Sequence, residues 1–243
     1  MSQQPIKGIA EEKYFRWRGK EVSRTENLSD IVFAMALTLI VASSVPSSFA
    51  ELTGLWREGI AIGLCFTILL LIWRIHFVFF RRYDLEDRTT MVLNSILIFL
   101  IMIFAYPLKF LAMFLVNYFT EGFPALLDIA TVLSLEQAPW LTAIYSIGYG
   151  VVYAVFAAMY AHAAKRADDI GLNQAERVLT TAAIHANLVH VGFAGFVVLL
   201  TQILPDAFVT MAGFFFVFLR IPLSILGNKA AKKAKAAFVA DAS

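Results

Sequence analysis

"RTENLSDIVFAMALTLIVASSVP", residues 24–46, sets an arginine, a serine and an aspartate just ahead of a long apolar run. An amphipathic helix of a soluble domain carries polar residues along one whole face. Here Thr38 is the only polar side chain between Ile31 and Ala42. The run therefore reads as the start of a membrane-spanning helix with a polar cluster at its mouth.

The rest of the chain agrees. Of its 243 residues, 60% are hydrophobic and 16% charged, and the mean hydropathy is +0.73. Soluble domains are nearer half apolar and a quarter charged, so the composition points to an integral membrane protein of all-α class. Six apolar segments stand out, at about 28–46, 55–79, 90–116, 140–163, 178–203 and 207–227. Each approaches or exceeds the ~20 residues that cross a bilayer core as a helix. They are too long, and too little alternating, for barrel strands. The single cysteine, Cys65, sits inside an apolar run and can form no disulfide within one chain.

Charge placement orients the bundle. Residues 1–23 are charged and lack an apolar core with a cleavage site, so they read as a cytoplasmic segment and not as a signal peptide. Sixteen of the 20 Lys and Arg residues fall before the first span, between the second and third, between the fourth and fifth, or after the sixth. The opposite loops, 47–54, 117–139 and 204–206, hold Glu51, Glu121, Asp128, Glu136 and Asp206 but no Lys or Arg. The positive-inside rule then places both termini in the cytoplasm. Apolar positions such as Leu126, Ile129 and Leu133 predict an interfacial or partly re-entrant helix in the long outer loop. Residues 228–243 read as a basic tail, an alanine-rich helix extension whose lysines meet anionic head groups.

Charges inside a bilayer cost roughly 2.5–3.5 kcal/mol on insertion scales, so each one calls for a reason. Arg74, Lys109 and Arg220 lie close enough to span ends to snorkel. His185 and His190 diverge by about 140° on a helix and do not share a metal ion. No GxSxG elbow, glycine-rich phosphate loop or metal-ligand motif is present, so an enzyme, a cofactor and a metal are not expected. The cytoplasmic lysines are explained by topology, and nucleic acid is not an expected partner.

On a helical wheel centred on Asp30, Ala34, Leu37 and Val41 fall within about 40°, while Met35, Leu39 and Ala42 fall at about 140°, 180° and 120° and Thr38 at about 80°. The helix can thus hold its neighbours through one side and offer Met35, Thr38, Leu39 and Ala42 on another. Ser29 and Asp30 are good helix caps. Trp73, His76 and Asn94 lie at a similar depth on the next two spans, which suggests a network of Arg24, Asp30, His76 and Asn94 joining three helices. A buried carboxylate requires such partners.

These residues also carry a resemblance. "RTENLSD" is similar to the R-x-x-x-F-S-D signature of the transmembrane protein 175 family of potassium channels, through Arg24, Ser29 and Asp30, with Leu28 in the place of Phe. The following "IVFAMALTLIV" is similar to that family's first helix. "WRIHFVFF" resembles its W-x-x-H-x-x-F pattern through Trp73, His76 and Phe79, and Asn94 and Tyr106–Pro107 stand at the expected places in the third span. The resemblance implies a homotetramer of six-span subunits in a prokaryotic plasma membrane, conducting K⁺ with high or weak selectivity along a path lined by the first helices. It further implies constrictions from side chains five, eight or nine, and twelve places after the aspartate: Met35, Thr38 or Leu39, and Ala42. Family members usually carry Ile or Leu at the first and last of these positions. No TVGYG filter is present; apolar rings instead select by dehydration. Thr38 either offers its hydroxyl to the ion or bonds the carbonyl of Ala34 four residues back. The competing reading is a proton-coupled secondary transporter using Asp30 and His76, which would call for inverted repeats and broken helices.

Overall fold

The computed structural model describes residues 14–42, 49–121, 137–204 and 213–241. Those residues are helical with no strand: α1 (Arg24–Val41), α2 (Phe49–Tyr83), α3 (Arg88–Glu121), α4 (Ala138–Lys165), α5 (Gln174–Ile203), a 3-10 stretch (Gly213–Leu219) and α6 (Arg220–Asp241). Four of the described helices are long and apolar enough to cross a membrane, over Glu58–Tyr83, Arg88–Ala105, Pro139–Lys165 and Gln174–Ile203. The segment at 28–46 falls largely in α1, which is 18 residues long and carries Arg24, Glu26 and Asp30 near its start. The segment at 207–227 begins outside the described residues, continues as the 3-10 stretch and ends within α6. The interfacial helix expected in the outer loop falls mostly on residues 122–136, which also lie outside the described part.

The helix ends follow local chemistry. Ser23 caps α1, its hydroxyl accepting from the Glu26 amide at 3.1 Å. Asn173 and Glu176 form a reciprocal capping box at the start of α5. Asp87 caps α3, accepting from the Thr90 amide at 2.9 Å, and also contacts His162 and Arg166. A carboxylate at this position satisfies an orphan amide and complements the helix dipole.

Two groups of helices result. α1 packs on α2 and α3; α4 packs on α5, and α5 on α6; α3 against α4 joins the two groups. One apolar core lies within the first group around Phe33, Ala36, Cys65 and Leu69. The other is built around Phe79, Tyr83, Phe156 and Tyr160, and it reaches Ala230 and Ala234 on α6. The basic tail is thus helical as far as Asp241, with Ala230 and Ala234 buried and Lys229, Lys232, Lys233 and Lys235 exposed.

Residues 14–23, the described part of the N-terminal segment, lie against this core. Phe15 is buried and meets the Tyr83 ring edge-on at 5.5 Å. Arg18 reaches across to α5: its Nη2 donates to Glu176 Oε2 at 2.7 Å and its Nη1 to Oε1 at 3.1 Å. It also donates to the carbonyls of Ile170 and Gly171, each at 2.8 Å. Gly19 lies against the end of α2, where an added Cβ would sit 2.8 Å from the Phe80 carbonyl oxygen. The chain here reads as a run of solvated charges, and only the fold shows that it straps α2 to α5.

Glu176 is 1% exposed at its side chain, so removing its cation leaves a buried charge uncompensated. Arg18→Ala is expected to cost about 3–5 kcal/mol, read as a lowered unfolding midpoint in detergent, with Glu176→Gln recovering part of the loss in the double variant. Asp87 gives a pH dependence. Burial works to raise its pKa, but the hydrogen bonds from Thr90 and His162 outweigh it and hold the carboxyl down to about 2. Because the folded pKa is depressed, its stabilisation is complete above the unfolded value of about 3.9 and is lost as pH falls toward 2. The stability difference between wild type and Asp87→Asn should therefore shrink over that window and stay flat above pH 5.

Candidate functional site

α1 has a back and a front. Glu26, Ser29, Phe33, Ala36 and Ile40 are buried and lie within about 60° of Ser29 on the wheel. Phe33 packs against the His76 ring at 5.8 Å. On the other side Met35 is 52% and Leu39 43% exposed within one chain, and Thr38 and Ala42 are exposed as well. The sequence wheel placed the anchoring side at Asp30; the structure centres it on Ser29, with Asp30 half-buried at its flank.

The polar residues behind α1 form a directed chain. Ser29 donates its proton to the Thr25 carbonyl at 2.9 Å, so its oxygen is left only to accept. Asn94 of α3 must therefore present its amide nitrogen, and Nδ2 donates to Ser29 Oγ at 2.8 Å. That orientation turns Asn94 Oδ1 toward His76 of α2, whose Nε2 lies 2.9 Å away and must carry the donated proton. The other ring nitrogen, Nδ1, has no hydrogen-bond partner among the described residues. It sits in an aromatic setting, with the Phe80 ring 4.8 Å from that of His76. Ser29, His76 and Asn94 are all 1% exposed or less. One hydrogen-bonded chain thus runs through α1, α3 and α2.

Asp30 is tied separately. Trp73 Nε1 donates to its Oδ1 at 2.7 Å, and the indole stacks on Phe77 with centroids 5.4 Å apart. The expected single network therefore resolves into two links. Arg24 is exposed and joins neither; the buried cation near this end is Arg81 of α2, which sequence reasoning left among the loop charges. Arg81 Nη2 donates to Glu26 Oε1 at 2.8 Å, while Nη1 donates to the carbonyls of Gly19 and Glu21 at 2.9 and 3.2 Å. The spacing of Glu26 from Arg81 along the chain carries no periodic signal, so only the fold could pair them. One available hint was the position of Glu26, three residues after the Ser23 cap.

The histidines expected to diverge do so. His185 is exposed, whereas His190 stacks on Tyr153 with centroids 3.9 Å apart and hydrogen-bonds the Tyr149 hydroxyl. Among the described residues no group of three or more His, Cys, Asp or Glu comes together that would hold a metal ion.

The helical chain that carries this arrangement is similar to known channels. A family model described as endosomal/lysosomal potassium channel TMEM175 matches residues 24–107, the stretch that holds α1, α2 and the first part of α3. A potassium channel of Marivirga tractuosa is 34% identical over 228 residues, 91% of this chain and 92% of that protein. The chain belongs to the TMEM175 family. Among solved structures, the crystal structure of a variant of the potassium channel MtTMEM175, in complex with a nanobody–MBP fusion protein, matches with a TM-score of 0.75 at 31% identity. That match covers 90% of this chain and 97% of the other.

Asn94→Leu removes the central link and leaves His76 Nε2–H and Ser29 Oγ unsatisfied. It should lower stability by about 1–3 kcal/mol, seen as a drop in the unfolding midpoint, whereas Met35→Ala on the exposed front should leave the midpoint nearly unchanged.

Proposed function

We propose that this chain is the subunit of a homotetrameric potassium channel, inserted in a prokaryotic plasma membrane with both termini in the cytoplasm. The ion path runs between the fronts of four α1 helices. The observation that carries this reading is the division of α1: its back is fixed by buried groups, while Met35, Thr38, Leu39 and Ala42 form a front that is exposed among the described residues. Closed symmetry brings identical fronts to one axis. The Marivirga tractuosa relative and MtTMEM175 are potassium channels, which supports K⁺ as the ion.

Met35 and Leu39 then form apolar rings that demand partial dehydration, which penalises the more tightly hydrated Na⁺ and permits gating by dewetting. Thr38 Oγ donates to the Ala34 carbonyl at 2.9 Å. This does not withdraw the hydroxyl from the path: with its proton turned back to the helix, its lone pairs are free to meet a cation. Met35 is flexible and Ala42 small, so the apolar layers are loose and selectivity for K⁺ is modest. The transporter reading gains nothing from the geometry, because Asp30 bonds Trp73 and His76 bonds Asn94, leaving no direct link between the two groups that would relay a proton.

In liposomes holding the purified protein, Leu39→Ala should widen its ring and lower the K⁺/Na⁺ permeability ratio while raising flux, and Met35→Ala should act in the same direction. Thr38→Ala should reduce K⁺ conductance without changing the unfolding midpoint. If all three variants conduct as the wild type does, with the same ratio, α1 does not line the path.

A further inference from the structure

On the opposite side of α2 from the α1 contact lies a cavity of about 430 Å³, walled by α2, α4, α5 and α6. Its volume falls within the roughly 300–1,000 Å³ typical of ligand cavities. The lining is uneven in a telling way. One wall is apolar, including Leu71, Ile75, Ala183, Ala186 and Leu223, and the charged lining side chains are Arg74 and Arg82, with no Asp or Glu present. Both arginines come from one stripe of α2.

Arg82 is the second observation. It is only 6% exposed, its Nε meets no acceptor, and no carboxylate pairs with it among the described residues. Its guanidinium packs 4.8 Å from the centroid of the Phe15 ring. Each neighbouring buried arginine, by contrast, has a carboxylate: Arg18 has Glu176 and Arg81 has Glu26. An always-charged guanidinium buried without an anion is costly, and its planar donors suit phosphate oxygens. Arg82 is the penultimate residue of α2, so it stands at the level of the membrane interface. Arg74 is two turns deeper, about 12 Å along the helix, so the two side chains, extended toward one another, can meet a phosphate that lies between their levels.

We propose that this cavity is a binding site for an anionic phospholipid, with the phosphate held by Arg82 and Arg74 and an acyl chain laid along the apolar wall. Basic pockets between membrane helices at the interface recognise such head groups. The site lies on the face of α2 away from α1 and does not depend on where the ions pass.

The test uses the full-length protein, stripped of lipid in detergent and given phosphatidylglycerol, phosphatidylcholine or inorganic phosphate, with bound lipid counted by native mass spectrometry and stability followed by thermal unfolding. Phosphatidylglycerol should be retained and should raise the unfolding midpoint; phosphatidylcholine and inorganic phosphate should do neither. Arg74→Gln should weaken retention about fivefold, the loss expected for one interfacial arginine. Ala186→Phe, which fills the apolar wall and leaves both arginines in place, should abolish retention even if Arg82→Gln fails to fold. Equal retention of the two lipids, protection by phosphate alone, or unchanged retention in both Arg74→Gln and Ala186→Phe would overturn the proposal.

Discussion

Ser29 gives its only proton to the carbonyl one turn back, and that bond orients the buried chain behind the first helix. A hydroxyl that can now only accept obliges Asn94 to donate, and an asparagine that donates on one side accepts on the other, from His76. In a bundle surrounded by lipid, groups buried at this depth have no water to turn to, and each must find its partner within the protein. The chain therefore sets the rotation of α1, α2 and α3 about their own axes more tightly than apolar packing alone, because a turned helix would leave a donor or acceptor unmet. Phe33, Ala36 and Ile40 fill the space beneath it on the same stripe of α1.

The front of α1 follows from its back. With the rotation set through Ser29 and the flank held by the Trp73–Asp30 bond, Met35, Thr38, Leu39 and Ala42 are left exposed among the described residues. The buried Arg81–Glu26 pair holds the start of the helix to α2, and the Arg18–Glu176 pair ties that end of α2 to α5. Anchor and front are thus separate parts of one short helix, as the proposed ion path along that front requires.

Much of this was legible in the sequence, for reasons that differ by element. Long apolar runs and one-sided Lys and Arg placement announce a helical membrane protein without any fold in hand, and α2 to α5 coincide with such runs. Ser29, Asp30, Trp73, His76 and Asn94 are conspicuous because polar groups are rare in apolar surroundings. Their connections were less legible. A wheel centred on Asp30 misjudged the anchoring side by about one residue, since the smaller Ser29 takes the buried position. Arg24 was expected in the network, but Arg81 holds the buried carboxylate, and nothing in the spacing of two charges 55 residues apart encodes their meeting. Charges at a membrane edge read as solvated whether they are or not, which is also why the strap through Phe15 and Arg18 could not be read from the sequence.

The central claim is that one face of α1, and not the whole helix, meets the ion. Leu39 and Val41 are both exposed in a single chain yet point about 160° apart on the wheel. In a Cys65→Ser background, Leu39→Cys and Val41→Cys channels can be treated with a charged thiol reagent while K⁺ flux is recorded. Block at residue 39 with little effect at residue 41 is the predicted result. Equal block at both positions, or none at residue 39 with the thiol shown to have reacted, would contradict it.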